Sequence, residues 1–183
     1  MKMIIVAAGQ GTRLRPLTNE MPKCMVKYKQ KSIIDYILET ASNNELNKIA
    51  IITGYRNEIL ENHLKNKNII FYKNKNYENT NMVSSLFCGK DFMDDDLIIS
   101  YADIIYKNEV LDKLIKSKDD LSVVVDKDWK KLWSLRMENP LEDAETLKIE
   151  NGNIIEIGKK AKSYDEIEGQ YIGLIKISKN ILN

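Results

Sequence analysis

The stretch Ala7-Ala8-Gly9-Gln10-Gly11-Thr12-Arg13 contains residue types that could hold a phosphate. Two glycines let a backbone turn tightly and come close to a ligand. Successive N–H groups can then converge on an anion. Arg13 closes the stretch with a planar fork suited to phosphate oxygens. Further on, Pro22-Lys23-Cys24-Met25 offers a lysine fixed behind a proline, a second counter-charge for a triphosphate. The candidate phosphate-binding residues are therefore Ala7, Ala8, Gly9, Gly11, Thr12, Arg13 and Lys23. The spacing is not G-x-G-x-x-G, because Leu14 stands where a glycine is needed, and no Gly-Lys-Ser/Thr follows. On the glycines alone, a plain strand-to-loop turn accounts for the segment as well.

Other candidates lie downstream. Asp103 follows the apolar run 97–101, and a carboxylate beyond a parallel strand's carboxyl end sits where open α/β sheets bind ligands. Mg²⁺ takes one or two carboxylates plus substrate phosphates, which suits Asp103. A solvated acid ending a strand, as at Asp126, is the alternative. Gly54, Tyr55, Asn79, Ser84 and Ser85 are candidates for reading a base, since amides and hydroxyls offer mixed donors and acceptors. Helix capping by Thr80 or Asn81 explains the same residues. Trp129, Arg136, Glu168 and Tyr171 are candidates for an acceptor. Aromatic faces beside carboxylates suit a cationic amine, and Arg136 suits a phosphoryl group. Packing is the alternative for Trp129 and Trp133, four residues apart. His63 reads as a mid-helix surface residue, and Cys24 and Cys88 as small packing residues.

These residues need elements to position them. Residues 2–8 form a continuous apolar run, expected of a central parallel strand. Ser32 with Asp35 three residues on is close to a capping box and predicts a helix to about residue 42. Strands are predicted at 48–53, 69–72, 97–101 and 121–126. Helices are predicted at 57–66, 81–91 and 108–117. Asn151-Gly152 between two apolar runs predicts a hairpin with a primed turn, and 170–177 predicts another strand. The pattern implies an α/β fold whose mixed, mainly parallel sheet is flanked by helices. One domain is expected, with a nucleotide-binding half at 1–126 and an acceptor-binding half at 127–183.

The longer string is more specific than its glycines. Ala7-Ala8-Gly9-x-Gly11-Thr12-Arg13-Leu14-x-Pro16-Leu17-Thr18, with Pro22-Lys23, resembles the nucleotidyltransferases that make sugar nucleotides and CDP or CMP conjugates. The resemblance implies a Rossmann-like, GT-A-like fold. It implies a triphosphate cradled by the loop, with Arg13 and Lys23 neutralising it and Asp103 binding Mg²⁺. Gly54-Tyr55, the 79–86 string, Ile157-Gly158-Lys159-Lys160 and residues 168–174 resemble the branch that uses CTP. That branch activates phosphocholine, aminoalkylphosphonates and similar amine-bearing phosphates. The family also carries a second metal carboxylate after a further strand and helix. None is found here, so either a C-terminal segment is missing or the ligand comes from elsewhere. UTP-, dTTP- or GTP-dependent sugar activation, and nucleotide binding without turnover, remain alternatives. A glycosyltransferase is disfavoured because Tyr101-Ala102-Asp103 lacks the first acid of an Asp-x-Asp motif.

Composition sets the remaining bounds. The 183 residues carry a net charge of +1, so no global field favours nucleic acid or a membrane. No apolar run approaches the ~20 residues of a membrane span. Two cysteines make no disulfide framework. The expected setting is the cytoplasm, and the expected partners are CTP and a small phosphorylated acceptor. Oligomeric state is left open.

Overall fold

A computed structural model describes residues 1–182. The chain divides into two compact units. The first holds residues 1–122 and 173–182, the second residues 123–172. Both divisions fall inside strands, and residues 173–182 join the first unit, not the later half drawn from sequence.

In the first unit, β1 (Lys2–Ala7), β4 (Ile49–Thr53), β5 (Ile69–Lys73) and β6 (Leu97–Tyr101) are parallel. The neighbour order is β5-β4-β1-β6, followed by β10 (Gln170–Ile177), which is antiparallel to β6. Two short strands, β2 (Lys27–Tyr28) and β3 (Lys31–Ser32), pair separately. Met3, Ile4 and Ile5 are all fully buried. Successive strand residues face opposite sides, so β1 must be covered on both faces. Ile4, Ala50, Ile52, Phe92, Leu97 and Ile99 form one core cluster.

The helices are α1 (Ile33–Asn43), α2 (Asn57–His63), α3 (Met82–Phe87) and α4 (Asn108–Ile115). The predicted helix over 81–91 is shorter, because the chain turns at Cys88-Gly89 and enters a separate turn at Lys90–Phe92. Ser32 caps α1, its hydroxyl accepting from Asp35 N at 3.4 Å and donating to the Asp35 carboxylate at 2.5 Å.

The second unit contains most of β7 (Leu121–Asp126), then α5 (Trp129–Arg136), β8 (Glu145–Glu150) and β9 (Asn153–Lys160). β8 and β9 form the expected hairpin, with φ positive at Asn151 and Gly152, as a primed turn requires. Trp129, Ala144, Ala161 and Ile167 form this unit's core.

His63 is not mid-helix. It ends α2, and its Nε2 lies 2.9 Å from the Asp35 carboxylate. Burial pushes the Asp35 carboxyl up, but the Ser32 and His63 hydrogen bonds outweigh it and hold the carboxyl below its usual value of 3.8. A carboxyl lowered on folding adds stability above its unfolded pKa and loses it as pH falls through the folded value. The melting temperature is therefore expected to fall more steeply below pH 4 in the parent than in Asp35→Asn, as calorimetry across pH would show.

Candidate active site

All the candidate nucleotide-binding residues lie in the first unit. β1 delivers Ala7 and Ala8 to the carboxyl edge of the sheet, where both stay buried. The chain then opens into an exposed loop at Gly9. Gly11 takes left-handed φ +62° and starts a short 3₁₀ turn, Thr12–Leu14. Arg13 lies on that turn, exposed. Thr18, fully buried, donates from its hydroxyl to Gly11 O at 2.9 Å. That hydrogen bond ties the far side of the loop back to its start.

Lys23 opens a second 3₁₀ turn behind Pro22. Its ammonium donates to the Asp103 carboxylate, from a residue eighty positions away. Arg13 takes no part in this pair. The two partners are 29% and 33% exposed, a setting in which an ion pair contributes at most about 1 kcal/mol. The pair can therefore be parted at little cost. Cys24, next in sequence, is buried, and its thiol is pushed up to about 12 by that burial. It does not form a thiolate at neutral pH.

Gly54 directly follows β4, where a Cβ would lie 2.6 Å from Ala8 O and 2.9 Å from the Tyr77 side chain. Tyr55 N donates to Ala8 O at 3.0 Å. The Tyr55 hydroxyl meets Thr18 O at 3.0 Å and Asn19 O at 2.6 Å. The base-reading candidates divide by exposure. Asn79 is exposed and donates to Asn76 Oδ1 at 2.9 Å. Asn81 caps α3, and Ser84 N and Oγ both donate to its Oδ1. Ser85 is buried, its hydroxyl engaged by Asn81 O and by Asn74 Nδ2. Sequence reasoning missed Asn74. Buried at the end of β5, it bonds Thr80, Ser85 and Asn76 N and so shapes this whole segment. Its only sequence signal is a polar residue directly after a strand.

The second unit holds the acceptor candidates. Trp129 is 4% exposed and packs on Trp133 and Tyr164. So placed, it has little surface to offer a ligand. Arg136 is exposed, its guanidinium 5.3 Å from the Trp133 ring centre. Glu168 is exposed and accepts from Ile149 N at 3.0 Å. Tyr171 is half-buried on β10.

Among the described residues, no three His, Cys, Asp or Glu side chains assemble a metal cage. Asp103 alone suits a hard cation that draws its other ligands from water and phosphate oxygens. Among those residues no helix is long and apolar enough to cross a membrane.

Comparison with known proteins places the chain in a family. Residues 2–131 match the nucleotidyl transferase family. The chain is 55% identical to the CTP:phosphoglutamine cytidylyltransferase of Campylobacter jejuni, over 100% of this chain and 75% of that protein. It is 37% identical to the choline-phosphate cytidylyltransferase of Streptococcus pneumoniae, over 64% of this chain and 51% of that protein. The inositol-1-phosphate CTP transferase of T. maritima superposes with a TM-score of 0.76 at 22% identity, over 99% of this chain and 71% of that one. That last likeness bears on fold alone.

The close approach at Gly54 predicts a contrast between two glycines. Gly54→Ala must move backbone and should cost about 1–3 kcal/mol in urea unfolding. Gly9→Ala meets nothing within 4 Å and should stay within about 0.5 kcal/mol of the parent.

Proposed function

The chain belongs to the nucleotidyl transferase family, and from that footing we propose that it is a CTP-dependent cytidylyltransferase. Its acceptor is a small phosphorylated molecule bearing an amine or amide nitrogen, with phosphoglutamine first among those to test. One observation carries this reading. The chain is 55% identical to a CTP:phosphoglutamine cytidylyltransferase along an alignment that spans all of it.

The reaction is in-line attack by an acceptor phosphate oxygen on the α-phosphorus of CTP. A new P–O bond forms there. The bond to the β-phosphate oxygen breaks, and pyrophosphate leaves with the electron pair. The attacking oxygen is already ionised near neutral pH, so no general base is required. The protein's work is positioning and charge stabilisation.

Loop amides and Arg13 hold the β- and γ-phosphates, by this proposal. Lys23, released from Asp103, turns its ammonium to the phosphate oxygens around the reacting phosphorus. Asp103, freed in the same exchange, would hold Mg²⁺. The cation, when bound, supplies charge neutralisation between two polyanions. Asn79, Ser84 and the edge around Gly54 are assigned to the cytosine. Arg136, Glu168 and Tyr171 are assigned to the acceptor.

The test is pyrophosphate release with Mg²⁺ and CTP against phosphoglutamine, phosphocholine and 2-aminoethylphosphonate. UTP, dTTP and GTP with hexose 1-phosphates run in parallel. Turnover confined to CTP is expected, and turnover with a hexose 1-phosphate would overturn the reading. Lys23→Ala should lower kcat by a factor on the order of 10² or more, as for other preorganised charge-stabilising groups. A near-parental rate would remove Lys23 from the mechanism.

A further inference from the structure

Tyr55 invites a role in reading the base, because it follows β4 beside the base-reading candidates. Its polar atoms are committed elsewhere. Its backbone N–H holds Ala8 O at 3.0 Å, where the phosphate loop begins. Its hydroxyl lies within hydrogen-bonding distance of Thr18 O and Asn19 O, where the loop ends. The next residue reinforces the second contact. Arg56 Nη2 donates to Asn19 O at 3.3 Å and pairs with Glu20 at 3.0 Å. Thr18 passes the constraint inward through its hydroxyl on Gly11 O. Gly11 in turn lies against Lys23, since a Cβ there would be 2.8 Å from Lys23 Cβ.

We infer that Tyr55 is a positioning residue that latches the phosphate loop at both ends and so presets its amides for the triphosphate. The inference rests on the cytidylyltransferase reading and assigns Tyr55 to the triphosphate, not the base. A loop fixed before binding does not lose that freedom when the ligand arrives, which raises affinity without a new contact. The ring lines a groove with Gly54 and Tyr77, so Tyr55→Phe removes the hydroxyl and keeps whatever the ring touches.

Titration calorimetry with CTP and with inorganic tripolyphosphate tests the latch, on the parent, Tyr55→Phe and Thr18→Val. Tyr55→Phe is expected to weaken both ligands by the same factor, about two- to tenfold for one net hydrogen bond. Thr18→Val should do likewise, and the double variant should lose less than the product of the single losses. Weakened CTP with unchanged tripolyphosphate would mean a base contact and overturn the latch. A lowered melting temperature with both affinities intact would mean a purely structural hydroxyl and overturn it too. So would tripolyphosphate failing to compete with CTP in the parent. Failure of the parent to bind CTP at all would instead bring down the cytidylyltransferase reading, and the latch with it.

Discussion

Ala8 and Gly54 approach so closely that no side chain fits between them. β1 and β4 are parallel neighbours, so both release their chains at the same edge of the sheet. One chain becomes the phosphate loop, and the other becomes the turn that holds it. A bulkier residue at position 54 would push the two exits apart. The hydrogen bond from Tyr55 N to Ala8 O would then stretch, and the clasp on Thr18 and Asn19 with it. The order of the site thus follows from a backbone contact with no charge in it.

Charge enters as a second layer. Lys23 and Asp103 come from distant parts of the chain, and each neutralises the other. A half-exposed pair of this kind contributes little to stability. It nevertheless keeps a cation and an anion from two distant segments adjacent.

Much of this was legible in the sequence, for identifiable reasons. β6 and β7 have the bounds expected from apolar runs edged by polar residues. The Ser32 cap and the Asn-Gly turn are local motifs whose chemistry is complete within a few residues. The long string around Gly9 and Gly11 pointed to the family because it exceeds what a turn requires. What stayed hidden depends on contacts across the chain. α5 has an exposed, charged outer surface and only Trp129 buried, so its periodicity is faint. The burial of Trp129 depends on Ala144, Ala161 and Ile167, which no local pattern links. The Asn74 hub, the Tyr55 contacts and the His63–Asp35 pair join residues that spacing alone cannot bring together.

The chain leaves the first unit at residue 122 and returns to it at 173. This has a consequence for synthesis. On the ribosome β1, β4, β5 and β6 emerge early, and parallel pairing can begin among them. The strand that covers the outer edge of β6 is made only after the whole second unit. Until then Leu97–Tyr101 offers a bare apolar edge, the kind of template that recruits other chains. The two glycines and the tyrosine that build the site are all translated before that covering strand, but the sheet that supports them is finished last.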